Sequence, residues 1–281
     1  LAGGFFVTIK RVFAENFPKV EMEVLVENRN REQIVGLEGL NFTVTENHNS
    51  VLDYSLDGAG FFGEGCDIAI LLERSPRMEG EKVAVDKAIK EIALAMRGKG
   101  KISIFSATSH PNKEGEYFPE NIIDYIPRFK GEASDNWKFD LGLRLASSSL
   151  LNAQARRAVI FLSFNDLNEE NFGTYGLNEL SSYMANNNIR FYSVSLKKEK
   201  PCDELAYLIK KTGGEASYIY VNEGLDPLIS RIAKAQTGLY KLSYTSSMDS
   251  DFGRRFLPVE VEVHLLNRSG RDETSYYPPA E

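Results

Sequence analysis

The spacing of apolar residues divides the chain into three stretches. Over residues 5–62 apolar and polar positions alternate, as in Val20-Glu21-Met22-Glu23-Val24-Leu25-Val26-Glu27 and Leu40-Asn41-Phe42-Thr43-Val44-Thr45, with a polar turn at Asn28-Arg29-Asn30-Arg31 between them. This period of two predicts half-buried β-strands. From Asp67 the period changes. A strand over 68–72 leads to a helix over 81–96, in which Val83, Val85, Ala88, Ile89, Ile92, Ala93 and Met96 recur near helical spacing. Further strands are expected over 101–105, 158–162, 189–194 and 218–221. Helices are expected over 139–152, 177–185, 201–211 and 225–235. Pro201 opens the third of these and Gly213-Gly214 follows its end, a start and a stop signal. Beyond Gly238 alternation returns over 239–244 and 258–265, and Tyr276-Tyr277-Pro278-Pro279 closes the pattern.

Strands alternating with helices predict a parallel, Rossmann-like sheet with helices on both faces and right-handed crossovers. The expected organisation is a β-sandwich part over 1–65, an α/β domain over 66–236 and a second sandwich part over 237–281. Each β flank is short for a core of its own, so the two flanks are expected to form one Ig-like sandwich into which the α/β domain is inserted. Two separate small β units are the alternative. The chain shows no internal repeat and no low-complexity segment.

The chain has 281 residues, and its net charge of -7 argues against nucleic-acid binding, which requires a basic face. No apolar run is long enough to span a bilayer. The chain begins at Leu1 rather than Met, as expected of either an expressed fragment or a mature form, so a leader could have been removed. Cys66 precedes the strand over 68–72 and Cys202 follows the strand over 189–194. They should lie at opposite edges of a parallel sheet, about 17–20 Å apart and too far for a disulfide. Two free thiols are expected.

Residues 67–78, DIAILLERSPRM, form an apolar strand that ends in Glu73-Arg74-Ser75-Pro76-Arg77. This stretch resembles the first strand and metal-site loop of von Willebrand factor A domains, whose pattern is an apolar strand followed by D-x-S-x-S. Later segments agree in order. FDLGLRLA at 139–146 resembles the family's threonine loop and helix, and RAVIFLSFN at 157–165 the strand that normally ends in T-D-G. Residues 189–196 and LAYLIKKTGG at 205–214 resemble its late strand and helix, and the β segments at 35–46 and 238–278 resemble flanks found in bacterial envelope proteins of this kind. The resemblance implies an extracytoplasmic location and a metal-ion-dependent adhesion site built from hydroxyl and carboxylate oxygens, the shell that hard cations require.

Position by position, this chain departs from that site. Glu73 stands for the first Asp, and Ser75 keeps the first Ser. Arg77 stands for the second Ser, Phe139 for the Thr and Phe164 for the Asp of T-D-G. Three ligand positions lack a donor and one of them carries a positive charge, so neither a divalent metal nor any other cofactor is expected. Asp140 or Asp166 could shift in and revive a weak site. Arg77 could instead pair with Glu73, its guanidinium taking the place of a cation, or begin a helix and point to solvent. Phe139 and Phe164 would make the edge apolar and suited to a protein partner, unless both rings pack inward. GEYFPENIIDYIPRFK at 115–130 is dense in aromatic residues and follows a strand. Tyr117 and Phe118 are therefore expected on the same edge as a partner surface, the alternative being a short helix that completes the core.

Enzyme signals are weak. There is no P-loop and no G-x-G-x-x-G after the first strand of the α/β part; Gly58-Ala59-Gly60 lies in the β flank as a turn. His48, His110 and His264 fall in different elements without metal-ligand spacing. A Ser75/His110 pair is the remote hydrolase alternative, and nothing supplies its third group or an oxyanion hole. The expected function is non-enzymatic, metal-independent recognition of a protein partner at the C-terminal edge of the α/β sheet. The competing expectation is a scaffold or assembly subunit of an envelope complex that makes contact through the sandwich.

Overall fold

A computed structural model describes residues 4–29, 33–57, 65–124, 126–151, 153, 156–235, 237–249 and 254–279. Gly58-Ala59-Gly60, Tyr125, the Asn30-Arg31 part of the polar turn and position 152 lie outside the described residues. The chain divides into two compact units, Leu1–Gly63 with Gln236–Glu281, and Glu64–Ala235. In chain order the strands of the opening stretch are β1 (Phe6–Phe13), β2 (Lys19–Glu27), β3 (Phe42–Glu46), β4 (Asn49–Val51) and β5 (Tyr54–Asp57). The second unit runs β6 (Asp67–Glu73), α1 (Lys82–Ala95), β7 (Ile102–Ala107), β8 (Asn112–Tyr117), α2 (Glu120–Ile123), α3 (Phe139–Ser149) and β9 (Arg157–Ser163). It continues α4 (Leu177–Asn186), β10 (Ile189–Ser195), α5 (Asp203–Thr212), β11 (Ala216–Tyr218) and α6 (Asp226–Lys234). The chain then returns to the first unit with β12 (Leu239–Thr245), β13 (Leu257–Leu265) and β14 (Arg268–Tyr276).

The described strands of the second unit form one sheet in the order β11-β10-β9-β6-β7-β8. All neighbours are parallel except β8, which runs antiparallel to β7. β6 and β9 are near-continuous apolar runs because helices cover both faces. On one face α1 and α6 bury Ile89, Ile92, Leu228 and Ile232 against Ile68, Ile70 and Ile160. On the other, α3, α4 and α5 pack Leu143, Leu180 and Leu208 against Leu71, Phe105 and Phe161. Gly142 lets α3 press close, since a Cβ there would meet Leu71 Cδ1 at 3.0 Å and the Ala107 Cβ at 3.1 Å. α5 carries Asp203 and Glu204 in its first turn and Lys210 and Lys211 in its last, matching the helix dipole, and stops at Gly213 with φ 73°. The edge strand β8, NKEGEY, carries Lys113, Glu114 and Glu116, charges that discourage pairing with another chain.

In the first unit the strands form two antiparallel sheets, ordered β1-β2-β12-β5 and β14-β13-β3-β4. Alternation places Val20, Met22, Val24 and Val26 of β2 in one core with Val44, Val259, Val261 and Val263 of the other sheet. The Phe42 and Tyr240 rings meet across it at 5.1 Å. Glu46 is buried there, and its carboxylate accepts hydrogen bonds from Tyr244 (2.7 Å), Ser246 (2.7 Å) and Tyr276. Among the described residues there is no disulfide, and no helix is long and apolar enough to cross a membrane.

The Tyr240 hydroxyl donates to Ile34 O at 2.7 Å and accepts from Leu37 N at 3.1 Å. Burial pushes its pKa up to about 12, against a smaller opposing pull from the Leu37 N–H. Burial raises the pKa of Tyr244 and Tyr276 as well. A phenol whose folded pKa exceeds its unfolded value contributes stability that is complete below the unfolded pKa, near 10, and is lost as pH rises through the folded pKa. Urea unfolding of the first unit followed by circular dichroism should therefore show Tyr240 alone removing about 2–3 kcal/mol between roughly pH 10 and 12. Tyr240→Phe should flatten that slope, at a cost of about 1 kcal/mol at neutral pH for the lost hydrogen bond.

Candidate functional site

β6 lies between β7 and β9, and the chain leaves it through α1 toward β7. β9, β10 and β11 then extend the sheet on the opposite side, so strand order reverses between β6 and β9. Open α/β sheets leave a crevice at such a reversal, outside the carboxyl ends of the strands. The loops after β6 and β9 flank it.

Glu73 ends β6 in that crevice with no exposed surface. A carboxylate buried so deeply requires charge or hydrogen-bond compensation. Ser75 Oγ donates to Oε1, Arg77 Nε donates to the same oxygen at 2.8 Å, and the Phe164 N–H donates to Oε2 at 2.9 Å. Local sequence makes this possible. Ser75 is extended and Pro76 opens a 3-10 turn over Pro76–Glu81, which brings Arg77 back over Glu73 four residues earlier. Arg77 Nη1 also meets Asp166 Oδ2 at 3.2 Å, and its guanidinium lies 4.7 Å from the centre of the Phe164 ring. Burial works against the Arg77 charge, but the bond and charge of Glu73, and then those of Asp166, hold its pKa above the ordinary value.

A groove of about 300 Å³ opens beside the pair, lined by Ser75, Pro76, Arg77, Asp135 and Trp137 and by Asp166, Leu167, Asn168 and Asn171 of the loop after β9. Its walls are tied together. Asn171 Nδ2 donates to Trp137 O at 3.1 Å, the Ser134 N–H to Arg74 O at 2.8 Å, and the Lys138 N–H to Thr108 O at 3.0 Å.

The expected site residues do not all meet here. Glu73, Ser75, Arg77 and Phe164 do, and Arg77 pairs with Glu73 rather than pointing to solvent. Phe164 is corrected as an apolar edge residue: its ring is almost fully buried beneath Arg77 and Lys197, whose Nζ is 4.8 Å from the ring centre. Phe139 is corrected. It is fully buried against Phe161, Phe172 and Phe191, and forms core rather than edge. As the first residue of α3 it faces the sheet, where the largest apolar side chain gains most from burial.

Tyr117 and Phe118 are corrected too. The expected loop is the antiparallel strand β8, which pairs Ser106 with Asn112 and Ile102 with Tyr117. The chain thereby turns back, and both rings lie at the opposite, N-terminal edge of the sheet. Tyr117 packs on the core, and exposed Phe118 sits 5.5 Å from Lys101 Nζ. Asp140 does not face the crevice. Its Oδ2 accepts from the N–H groups of Gly173, Thr174 and Tyr175 at 3.0, 2.7 and 2.9 Å. Ser75 gives its hydroxyl proton to Glu73, while His110 Nδ1 lies 3.3 Å from Ser109 Oγ. Asp135, Trp137, Asn168 and Asn171 were not singled out from sequence. Asp166 and its neighbours follow a strand end, which places them at the edge, but nothing local marks residues 135–137 as returning to it.

No protein-family model and no curated protein matches this sequence. Among solved structures the chain is similar to a von Willebrand factor type A protein from Catenulispora acidiphila. The TM-score is 0.48 at 9% identity, over 97% of this chain and 72% of that one. It is also similar to the ArnB paralog VWA2 from Sulfolobus acidocaldarius, with a TM-score of 0.44 at 10% identity over 98% and 74% of the two chains. An aerotolerance-related membrane protein from Bacteroides fragilis is similar at a TM-score of 0.42 and 11% identity, over 60% of this chain and 96% of that one. These are likenesses of structure.

Replacing Arg77 leaves Glu73 buried with two donors instead of three. Because Arg77 is partly exposed, the cost is screened, and Arg77→Met should lower stability by about 1–3 kcal/mol in chemical denaturation. Glu73→Gln introduced into the Arg77→Met variant should recover part of the loss, since it removes the uncompensated charge.

Proposed function

We propose that this chain is a von Willebrand factor A-like recognition module that engages a protein partner through the C-terminal edge of its α/β sheet, without a divalent metal and without catalysing a reaction. The observation that carries this reading is the Arg77 guanidinium seated on Glu73 at the point where strand order reverses. A metal centre does not fit this donor set. Glu73 is the one carboxylate aimed into the crevice from β6, and both its oxygens already accept hydrogen bonds. Phe164 offers no side-chain oxygen, Asp140 commits its Oδ2 to the 173–175 backbone, and a metal on Glu73 would meet the positive charge of Arg77 bonded to the same carboxylate oxygen. Against catalysis, the one serine of the crevice has its hydroxyl bonded to a carboxylate rather than to a base with an orienting partner.

Calorimetric titration with Mg²⁺ or Mn²⁺ should give no saturable heat; micromolar binding that Glu73→Ala abolishes would overturn the metal-free reading. The recognition surface is tested by photo-crosslinking in extracts of the source cells. A benzoylphenylalanine at Glu169, exposed on the loop that walls the groove, should capture a partner. One at Glu273, exposed on the outer face of the sandwich, should not. Capture from Glu273 alone would replace this reading with that of a scaffold contacting its neighbours through the sandwich.

A further inference from the structure

The groove at the ends of β6 and β9 has a definite sign. Arg77 is its one basic lining residue, and both Glu73 and Asp166 engage it. Asp166 and Asp135 are the two carboxylates of its lining. Asp135 is exposed, and no described residue forms an ion pair with it. Asp166 is 66% exposed and touches Arg77 through one oxygen. Within the lining, carboxylates therefore outnumber the guanidinium, and both are exposed. Pro76, Leu167 and Trp137 add apolar atoms to the same lining.

From this arrangement we propose that the partner enters the groove with a basic side chain, an arginine or a lysine. Its methylene stem lies against Pro76, Leu167 and Trp137, and its charged head reaches Asp135 and Asp166. The proposal rests on the assignment of this edge as the recognition surface and adds the chemistry of what is recognised. A long basic side chain suits such a slot because its stem is apolar and its head is not. An acidic side chain does not, because it meets the exposed carboxylates of Asp135 and Asp166. The Asn171–Trp137, Ser134–Arg74 and Lys138–Thr108 hydrogen bonds hold the walls in place beforehand, which reduces the ordering cost of binding.

Trp137 is the only tryptophan in the chain, so its fluorescence reports on the groove directly. The test titrates the whole chain with capped pentapeptides of glycine and serine that carry one central arginine, lysine or glutamate. The arginine and lysine peptides should change Trp137 emission saturably, and more weakly as salt is raised. The glutamate peptide should not. Asp135→Asn should weaken arginine-peptide binding at least about threefold, and the Asp135→Asn, Asp166→Asn double variant by more, with circular dichroism unchanged.

The proposal is overturned if the glutamate peptide binds as tightly as the arginine peptide, if neither asparagine substitution weakens binding, if spermidine binds more tightly than either basic peptide, or if no peptide alters the emission. In any of these cases, persistent crosslinks from Glu169 would mean that the edge is still the recognition surface and only the basic ligand is wrong. Loss of those crosslinks as well would remove both.

Discussion

The carboxylate of Glu73 is the constraint on which the edge of the α/β unit depends. β6 is covered on both faces, so the residue that ends it comes to rest beneath loops rather than in water. A charge in that position must be met by donors, and the three that meet it come from two different loops. Ser75 and Arg77 belong to the turn after β6, and the Phe164 N–H belongs to the loop after β9. Satisfying one buried glutamate therefore ties together the two loops that diverge at the reversal of strand order. Arg77 extends the tie outward to Asp166 and to the face of Phe164, and the groove forms between these groups and the Trp137 segment.

The first unit buries a glutamate as well, with a different solution. Glu46 is met by the hydroxyls of Tyr244, Ser246 and Tyr276, all neutral donors inside the sandwich. No cation is needed, and the hydroxyls tie β3 to β12, β14 and the segment after β12 across the core. The cost moves to the tyrosines, whose ionisation is suppressed by burial first and then by the neighbouring carboxylate. At Glu73 a guanidinium does the same work and leaves a charged, partly exposed group at the surface. That difference gives the α/β edge, rather than the sandwich core, chemistry available to a partner.

The turn of the chain at β8 decides what else reaches the edge. β8 runs back toward the N-terminal ends of the parallel strands and carries Tyr117 and Phe118 away from the crevice. The segment that follows α2 then returns, pinned through Glu114 to the Lys130 and Gly131 N–H groups and through Arg74 to the Ser134 N–H. Trp137 and Asp135 arrive at the groove by this route. Aromatic density in a connection therefore did not locate the groove, and a charged hairpin strand determined which aromatic residue lined it.

Much of the architecture was legible in the residues alone. Unbroken apolar runs at β6 and β9 meant strands buried on both faces, and the change from a period of two to helical spacing marked the passage between units. The Glu73-Arg74-Ser75-Pro76-Arg77 run placed polar groups at the strand end and made the Glu73–Arg77 pair one of two foreseeable outcomes. Local sequence determined these features because each depends on neighbours within a few positions, where alternation, a proline turn or a four-residue separation is sufficient. Tertiary structure alone decided that Phe139 turns into the core, that β8 reverses the chain, and that Asp135 and Trp137 meet Asp166 and Asn171. The burial of Phe139 and the meeting at the groove join residues more than about twenty positions apart, and all these outcomes follow from which surfaces gain most by leaving water once the sheet has assembled.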